Sequence, residues 1–294
     1  MNPVPSKSSV SNAWIVVGLA TFLYVYLLFP SLVIVPVSFG SRTEIVFPPN
    51  SYSLDLYREY FGSSDWLTVT GRSAVYALMA ATLAMAAGVP GAYALSRTNF
   101  PGKRLLVTLV LSPMMVPVVV ISLGLYLYYL RISLTGTVIG VVVAHAMYAT
   151  PYVILTTSAG IENLDDQLEK VAVIMGATQW RVFRQVVLPQ LVPSLFSAAL
   201  FAFLIAFDEF VIAWFITGPS TLTLPVKMYS SIKWEVSPVL AVVATLLTAI
   251  SIVACILAYA LKQGSFSRSA QQDKRAARAE EMDDEDYSSM SAAR

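Results

Sequence analysis

Long apolar runs alternate with short polar ones along most of this chain, and six of the runs reach the ~20 mainly apolar residues a helix needs to cross a bilayer's hydrocarbon core. They are approximately Ala13–Phe39, Ser73–Ser96, Leu105–Leu130, Thr137–Gly160, Leu195–Thr217 and Pro238–Leu261. The first is too long for a signal-peptide core and has no small-residue cleavage pattern close behind it, so it reads as a retained span. The expected fold is all-α and integral to the membrane: six transmembrane helices with both chain ends on one side. Residues 1–12 are expected to form an N-terminal tail, 13–262 the transmembrane domain and 263–294 a second tail. That last segment contains the mixed-charge stretch Asp273–Asp286, which cannot bury a core and is expected to be disordered.

Prolines fall within the apolar runs at Pro30, Pro90, Pro113, Pro117 and Pro151. In a soluble helix each would cost about 3 kcal/mol. In a membrane bundle, neighbouring helices, water and Ser/Thr side chains can satisfy the freed carbonyls, so these positions read as kinks that either line a cavity or bend a helix for packing. No internal repeat is evident, which counts against carriers built from inverted halves.

Composition agrees with lipid as the main solvent, because 56% of the 294 residues are hydrophobic and only 13% charged. A net charge of +1 excludes a strongly basic nucleic-acid binder. The lone histidine, His145, excludes a His-rich metal centre and reads as a packing residue, and the lone cysteine, Cys255, lies in an apolar run where it reads as a small hydrophobe. With both ends inside, the cytoplasmic segments hold 13 of the 19 basic residues, including the Lys103–Arg104 pair beside a span end. The positive-inside rule therefore favours cytoplasmic termini, although six of those residues belong to the C-terminal tail. Trp14, Trp66, Tyr129 and Trp234 at span ends read as interfacial anchors.

The fourth and fifth runs are joined by a long polar-edged segment, Ile161 to about residue 194. Leu168, Val171, Ala172 and Met175 fall there at i, i+3, i+4 and i+7, the apolar stripe of a short amphipathic helix, with Asp165, Asp166, Glu169 and Lys170 around it. Gly176 permits the left-handed conformation of a sharp exit, and Ala177–Val187 can start a second helix running back to the membrane. Such an elbow is either a docking knob for a partner or a helix lying on the lipid.

Leu168–Pro189 resembles the EAA loop of ABC importer permeases, with Glu169, Ala172, Gly176, Ala177, Leu188 and Pro189 at matching places. It departs at Lys170, where the family usually has Glu, and at Val171, where it usually has Ala. "GVPGAYALSRTNFPGK" (Gly88–Lys103) and "LSPMMVPVVVISLGL" resemble the inner turn and third span of the same family. Phe207–Leu247, with its TGP, LP, K-x-Y-S and VSP elements, is similar to the spermidine/putrescine branch of the type I importers. The resemblance implies a cytoplasmic coupling helix that engages an ATPase through Leu168, Glu169, Val171, Ala172, Met175, Gly176, Ala177, Leu188 and Pro189. It also implies a bacterial inner-membrane complex with a second homologous permease, two ATPase subunits that bind ATP and Mg, and an extracytoplasmic solute-binding protein. The outer segments around Phe47–Trp66 and Thr217–Pro238 would be the docking surface for that last partner. No GxxxxGK[ST] phosphate loop occurs in this chain, so ATP chemistry and enzymatic activity are expected elsewhere.

Asp208 and Glu209 lie inside the fifth run, where a carboxylate costs at least ~2.5 kcal/mol on insertion scales and needs a wet cavity, a helix partner or a cationic guest. With Trp214 they are candidate pathway residues for a polyamine or related amine, and in a continuous helix the two acids would point ~100° apart. The alternative role is a structural pair bound to neighbouring donors. Two other functions use the same residues: a permease for another organic solute such as an aminophosphonate, or a proton-coupled secondary carrier with Asp208 and Glu209 as relay. An aspartyl intramembrane protease would need acids on two separate spans, and here they share one.

Overall fold

The computed structural model describes residues 7–42, 45–164, 166–234, 237–253 and 256, so Cys255 and the expected tail 263–294 lie outside the described residues. All regular elements among the described residues are helical: α1 (Lys7–Ser38), α2 (Asp55–Gly62), α3 (Ser64–Arg97), α4 (Lys103–Leu111), α5 (Val118–Arg131) and α6 (Val138–Glu162). They continue as α7 (Asp166–Ile174), α8 (Gln179–Val182), α9 (Leu188–Asp208), α10 (Val211–Ile216), α11 (Leu224–Trp234) and α12 (Val239–Val253). Two compact units result, Met1–Gly71 with Val226–Ile252, and Arg72–Pro225 with Val253–Arg294.

Four helical stretches are long and apolar enough to cross a membrane: Trp14–Ser38, Ser64–Arg97, Val138–Glu162 and Gln179–Asp208. A fifth is present if the legs on either side of Pro117 count as one span, and α12 is a shorter apolar helix. The third predicted run is therefore not one straight helix. Its legs, Lys103–Met114 and Val118–Arg131, meet at 99°. Pro113 and Pro117 are the cause: each lacks an N–H and crowds the preceding turn, and Pro117 adopts φ −54°, ψ 127°, which leaves the helical path.

The larger unit is built on α3, α6 and α9. Lipid tails are as apolar as leucine, so helices in a bilayer gain little from hydrophobic burial and associate through close packing of small side chains. Ala77, Ala80 and Ala84 of α3, Ala144 and Ala149 of α6, and Ala198 and Ala202 of α9 are all fully buried. The i, i+4 stripe Ala198, Ala202, Ala206 lets α9 lie close along α6. Gly160 of α6 has the same role, since a Cβ there would stand 2.6 Å from Ser194 Cβ. A second layer seats α10 against α5, with Tyr126 edge-on to Phe215 at 6.3 Å, and Gly136 N–H donating to the Ile216 carbonyl at 2.8 Å.

In the smaller unit, α1 keeps its apolar residues outward from Trp14 to Leu32, the surface of a helix whose neighbours are lipid or another chain. Its C-terminal end turns inward, with Val37 buried, Thr245 Oγ1 donating to the Ile34 carbonyl at 3.5 Å, and Ser38 Oγ sharing a 2.8 Å hydrogen bond with Tyr57 Oη. Asp65 pairs with Lys227, whose ammonium also sits 5.0 Å from the Trp66 ring centroid. Trp66 is buried by that contact and by Tyr60, and Tyr129 is buried in the core of the larger unit, so neither is the interfacial anchor expected from its place in the sequence. Trp14 and Trp234 are exposed, as anchors require.

Gly160→Ala is expected to lower the stability of the purified protein by about 1–3 kcal/mol through overpacking against Ser194. Gly18→Ala, with nothing within 4 Å of the added carbon, should not lower it and should add up to about 0.5–1 kcal/mol from the better helix former. Thermal unfolding of both variants in one detergent, followed by tryptophan fluorescence, makes the comparison.

Candidate functional site

The segment after α6 folds as an elbow. α7 ends in a paired-hydrogen-bond turn: Gly176 N–H donates to the Val173 carbonyl at 2.9 Å and Ala177 N–H to the Ala172 carbonyl at 3.0 Å. This arrangement satisfies carbonyls that the helix end would otherwise leave unpaired, and it requires a left-handed residue at its centre. Gly176 has φ +83°. Thr178 then caps α8 by accepting from Arg181 N–H at 3.4 Å. Between α8 and α9 the chain widens into a π turn, Phe183–Val187, with Leu188 N–H reaching back to the Phe183 carbonyl. Pro189 explains the widening, because it cannot donate to the Gln185 carbonyl one turn back and its ring crowds that carbonyl. Leu188 and Pro189 thus stand where the elbow re-enters a span, and Val182, Val187 and Leu191 fasten it to Ile154 and Ile161 of α6 in one buried cluster.

The faces of α7 are the reverse of a surface helix. Ala172 and Ala177 pack into that cluster, whereas Leu168, Val171, Ile174 and Met175 face outward, the last two more than 80% exposed. Glu169, read from the sequence as part of the charged surround, is turned inward. Its Oε1 lies 2.6 Å from Arg97 Nη2, and its Oε2 accepts from Tyr93 Oη at 3.2 Å. Both partners come from the end of α3, and their helix and α7 flank a cleft of about 500 Å³ that also takes in Lys170 and Gln179. Arg97 and Tyr93 were missed as site residues. The signal was present in two places: Arg97 closes an otherwise uncharged stretch from Ser73, and Glu169 has no basic residue three or four positions away on its own helix.

The acidic pair does not lie within a continuous helix. α9 stops at Asp208, Glu209 is extended (φ −66°, ψ 107°), and α10 restarts at Val211. The expected ~100° divergence of two helical neighbours therefore gives way to a chain break with separate duties. Glu209 Oε1 accepts from Ile212 N–H at 2.8 Å, satisfying an N-terminal amide of α10 where the helix dipole favours negative charge. Asp208 is exposed on this chain. Trp214, also exposed, lies against Phe210 with ring centroids 5.8 Å apart and planes tilted by 42°, and the two form an aromatic step on the first turn of α10. His145 is 2% exposed in the layer where α6 packs on α9. Among the described residues no cluster of His, Cys, Asp or Glu is arranged to hold a metal ion.

Glu209→Ala should therefore destabilise the protein by about 1 kcal/mol through loss of the α10 cap, whereas Glu209→Gln retains an acceptor and should recover most of it. Asp208→Asn should not change stability. Chemical or thermal unfolding of the three variants side by side reads the difference.

Comparison with known proteins fits this geometry. Residues 84–265 match the family described as "Binding-protein-dependent transport system inner membrane component". The chain is 31% identical over 277 residues to the putrescine transport system permease protein PotI of Escherichia coli K12, covering 91% of this chain and 96% of that protein. It is 27% identical over 236 residues to the spermidine/putrescine permease protein PotC of the same strain, covering 80% and 89%. It is also 31% identical over 181 residues to the trehalose permease protein SugB of Mycobacterium tuberculosis, covering 61% and 66%. Its fold is similar to a chain of a bacterial ABC transporter involved in alginate import, with TM-score 0.67 at 18% identity, covering 89% and 99%. With the helical core, the elbow and these matches together, the chain belongs to the binding-protein-dependent transport system inner membrane components, as a multi-pass, non-catalytic permease subunit of an ABC importer.

Proposed function

We propose that this permease carries putrescine, spermidine or a related amine-bearing solute into the bacterial cell. The observation that carries the proposal is the 31% identity to a putrescine permease along 91% of the chain. Local chemistry supports it. Asp208 presents a carboxylate at the helix break, and the Phe210–Trp214 step adds aromatic faces, the two kinds of group that attract a primary ammonium. Glu209 is assigned to the cap of α10 instead. The sequence similarity to a trehalose permease keeps a non-amine organic solute, or an aminophosphonate, as the second reading.

In this reading 13–262 forms six spans, with the bent pair α4–α5 as the third and the sixth containing α12, both termini in the cytoplasm and 263–294 as a cytoplasmic tail. α7 is the coupling helix. Leu168, Val171, Ile174 and Met175 present an apolar face that no part of this chain covers among the described residues, and its occupant is an ATPase subunit. Two such subunits supply ATP and Mg chemistry, a second homologous permease completes the pathway, and an extracytoplasmic binding protein delivers the solute to the outer segments.

Uptake of labelled putrescine by the reconstituted complex should fall about tenfold or more in Asp208→Asn, the loss of one charge-assisted contact, and persist in Glu209→Gln. Undiminished uptake by Asp208→Asn would remove Asp208 from the pathway. Uptake by the permease with no ATPase present would instead identify a proton-coupled carrier and sink the coupling reading.

A further inference from the structure

We infer that Arg97 and Glu169 are positioning residues: their ion pair, completed by Tyr93, is a strut that makes α3 move with α7 when the coupling helix is displaced. The inference rests on the reading of α7 as the coupling helix. Covalently, α7 drives only its chain neighbours, α6 on one side and the elbow, α8 and α9 on the other. Its backbone packs on α8 and the π turn. Toward α3 it shares an apolar cluster through Ala172, with Ala92 and Leu95, and at the edge of the 500 Å³ cleft it makes a polar connection. The Glu169 carboxylate is held at both oxygens, by Arg97 and Tyr93, which stand one turn apart on α3. Two-point attachment fixes the direction of the carboxylate as well as its distance, so rotation and translation of α7 are both conveyed. The pair is partly shielded, with 22% of the Arg97 and 16% of the Glu169 side chain exposed, so salt and water weaken it less than a surface pair. Tyr93 also packs its ring on Phe183 of the π turn, centroids 4.8 Å apart, which links the strut to the second arm of the elbow. Glu169 is thereby committed within its own subunit, and the outward apolar residues are left to meet the ATPase.

The test uses the whole transporter in lipid, with Cys255→Ser and spin labels at Thr98→Cys, just past α3, and Gln167→Cys on α7. The trapped state is made with Mg-ATP and a hydrolysis-blocked ATPase subunit, so that it depends on nucleotide binding and not on solute-stimulated turnover. The 98–167 distance should stay the same between resting and trapped states, and should shift or broaden on trapping when Arg97→Gln or Glu169→Gln is added. Stimulation of ATP hydrolysis by the binding protein loaded with putrescine should fall about tenfold in each single variant and no further in the double variant, the sign of one shared interaction. ATPase subunits should co-purify with all of them. A distance that changes on trapping in the unaltered pair overturns the strut, as does normal stimulation in Arg97→Gln alongside loss in Glu169→Gln. If Arg97→Gln does not accumulate, Arg97→Lys is used: its effect must vanish in the Glu169→Gln background, and an additive loss there overturns the inference. An ATPase that never associates with the unaltered permease removes the coupling reading and the strut together. A complex unresponsive to putrescine removes only the substrate reading, because the distance measurement still decides the strut.

Discussion

Lipid offers no hydrogen bonds, so each backbone amide or charge brought into the bilayer must be satisfied by the protein itself, and most of this structure is a response to that constraint. Where helices are continuous the requirement is met within each helix, and packing is limited only by how closely backbones approach. The alanine stripes of α3, α6 and α9 and the bare Cα of Gly160 answer that question. Where helices are broken, the freed groups need named partners. Glu209 supplies one at the start of α10, and the Gly176 turn supplies two at the end of α7.

The same constraint governs what the breaks in the helices can hold. A broken span exposes polar backbone and permits a carboxylate at a depth that a continuous apolar helix would not support. The Asp208–Phe210 interruption leaves one acid exposed and spends its neighbour on the backbone of α10. At the other end of α9, the π turn before Pro189 keeps α8 and α9 one continuous arm despite the missing N–H.

Much of this was legible in the sequence because it depends on local signals. Span positions follow from apolar run length, and the elbow follows from a 3.6-residue stripe ended by glycine. The 99° bend at Pro117 follows from chemistry that was noted, but its angle is set by the packing of α5 on α10, which no local pattern carries. The inward turn of Glu169 was illegible for a related reason. Periodicity places Glu169 on the polar side of α7, and only the arrival of Arg97 and Tyr93, more than seventy positions earlier, makes that side the inner one. The burial of Trp66 has the same origin, since Lys227 reaches it from a distant segment.

The inversion of α7 bears on how force enters such a subunit. A helix that turned its charges to the cytoplasm and its leucines to the bundle would be held by apolar contacts that slide, and a push on it would be absorbed by side-chain repacking. Here a directional anchorage is added to the small apolar contacts of Ala172 and Ala177: two oxygens of one carboxylate held by two successive turns of another helix. Apolar residues are left for the outer face, where contact with a partner must form over a surface rather than at a point. Toward its own subunit the elbow thus combines a directional ion pair with small apolar contacts, while its larger apolar side chains are turned outward.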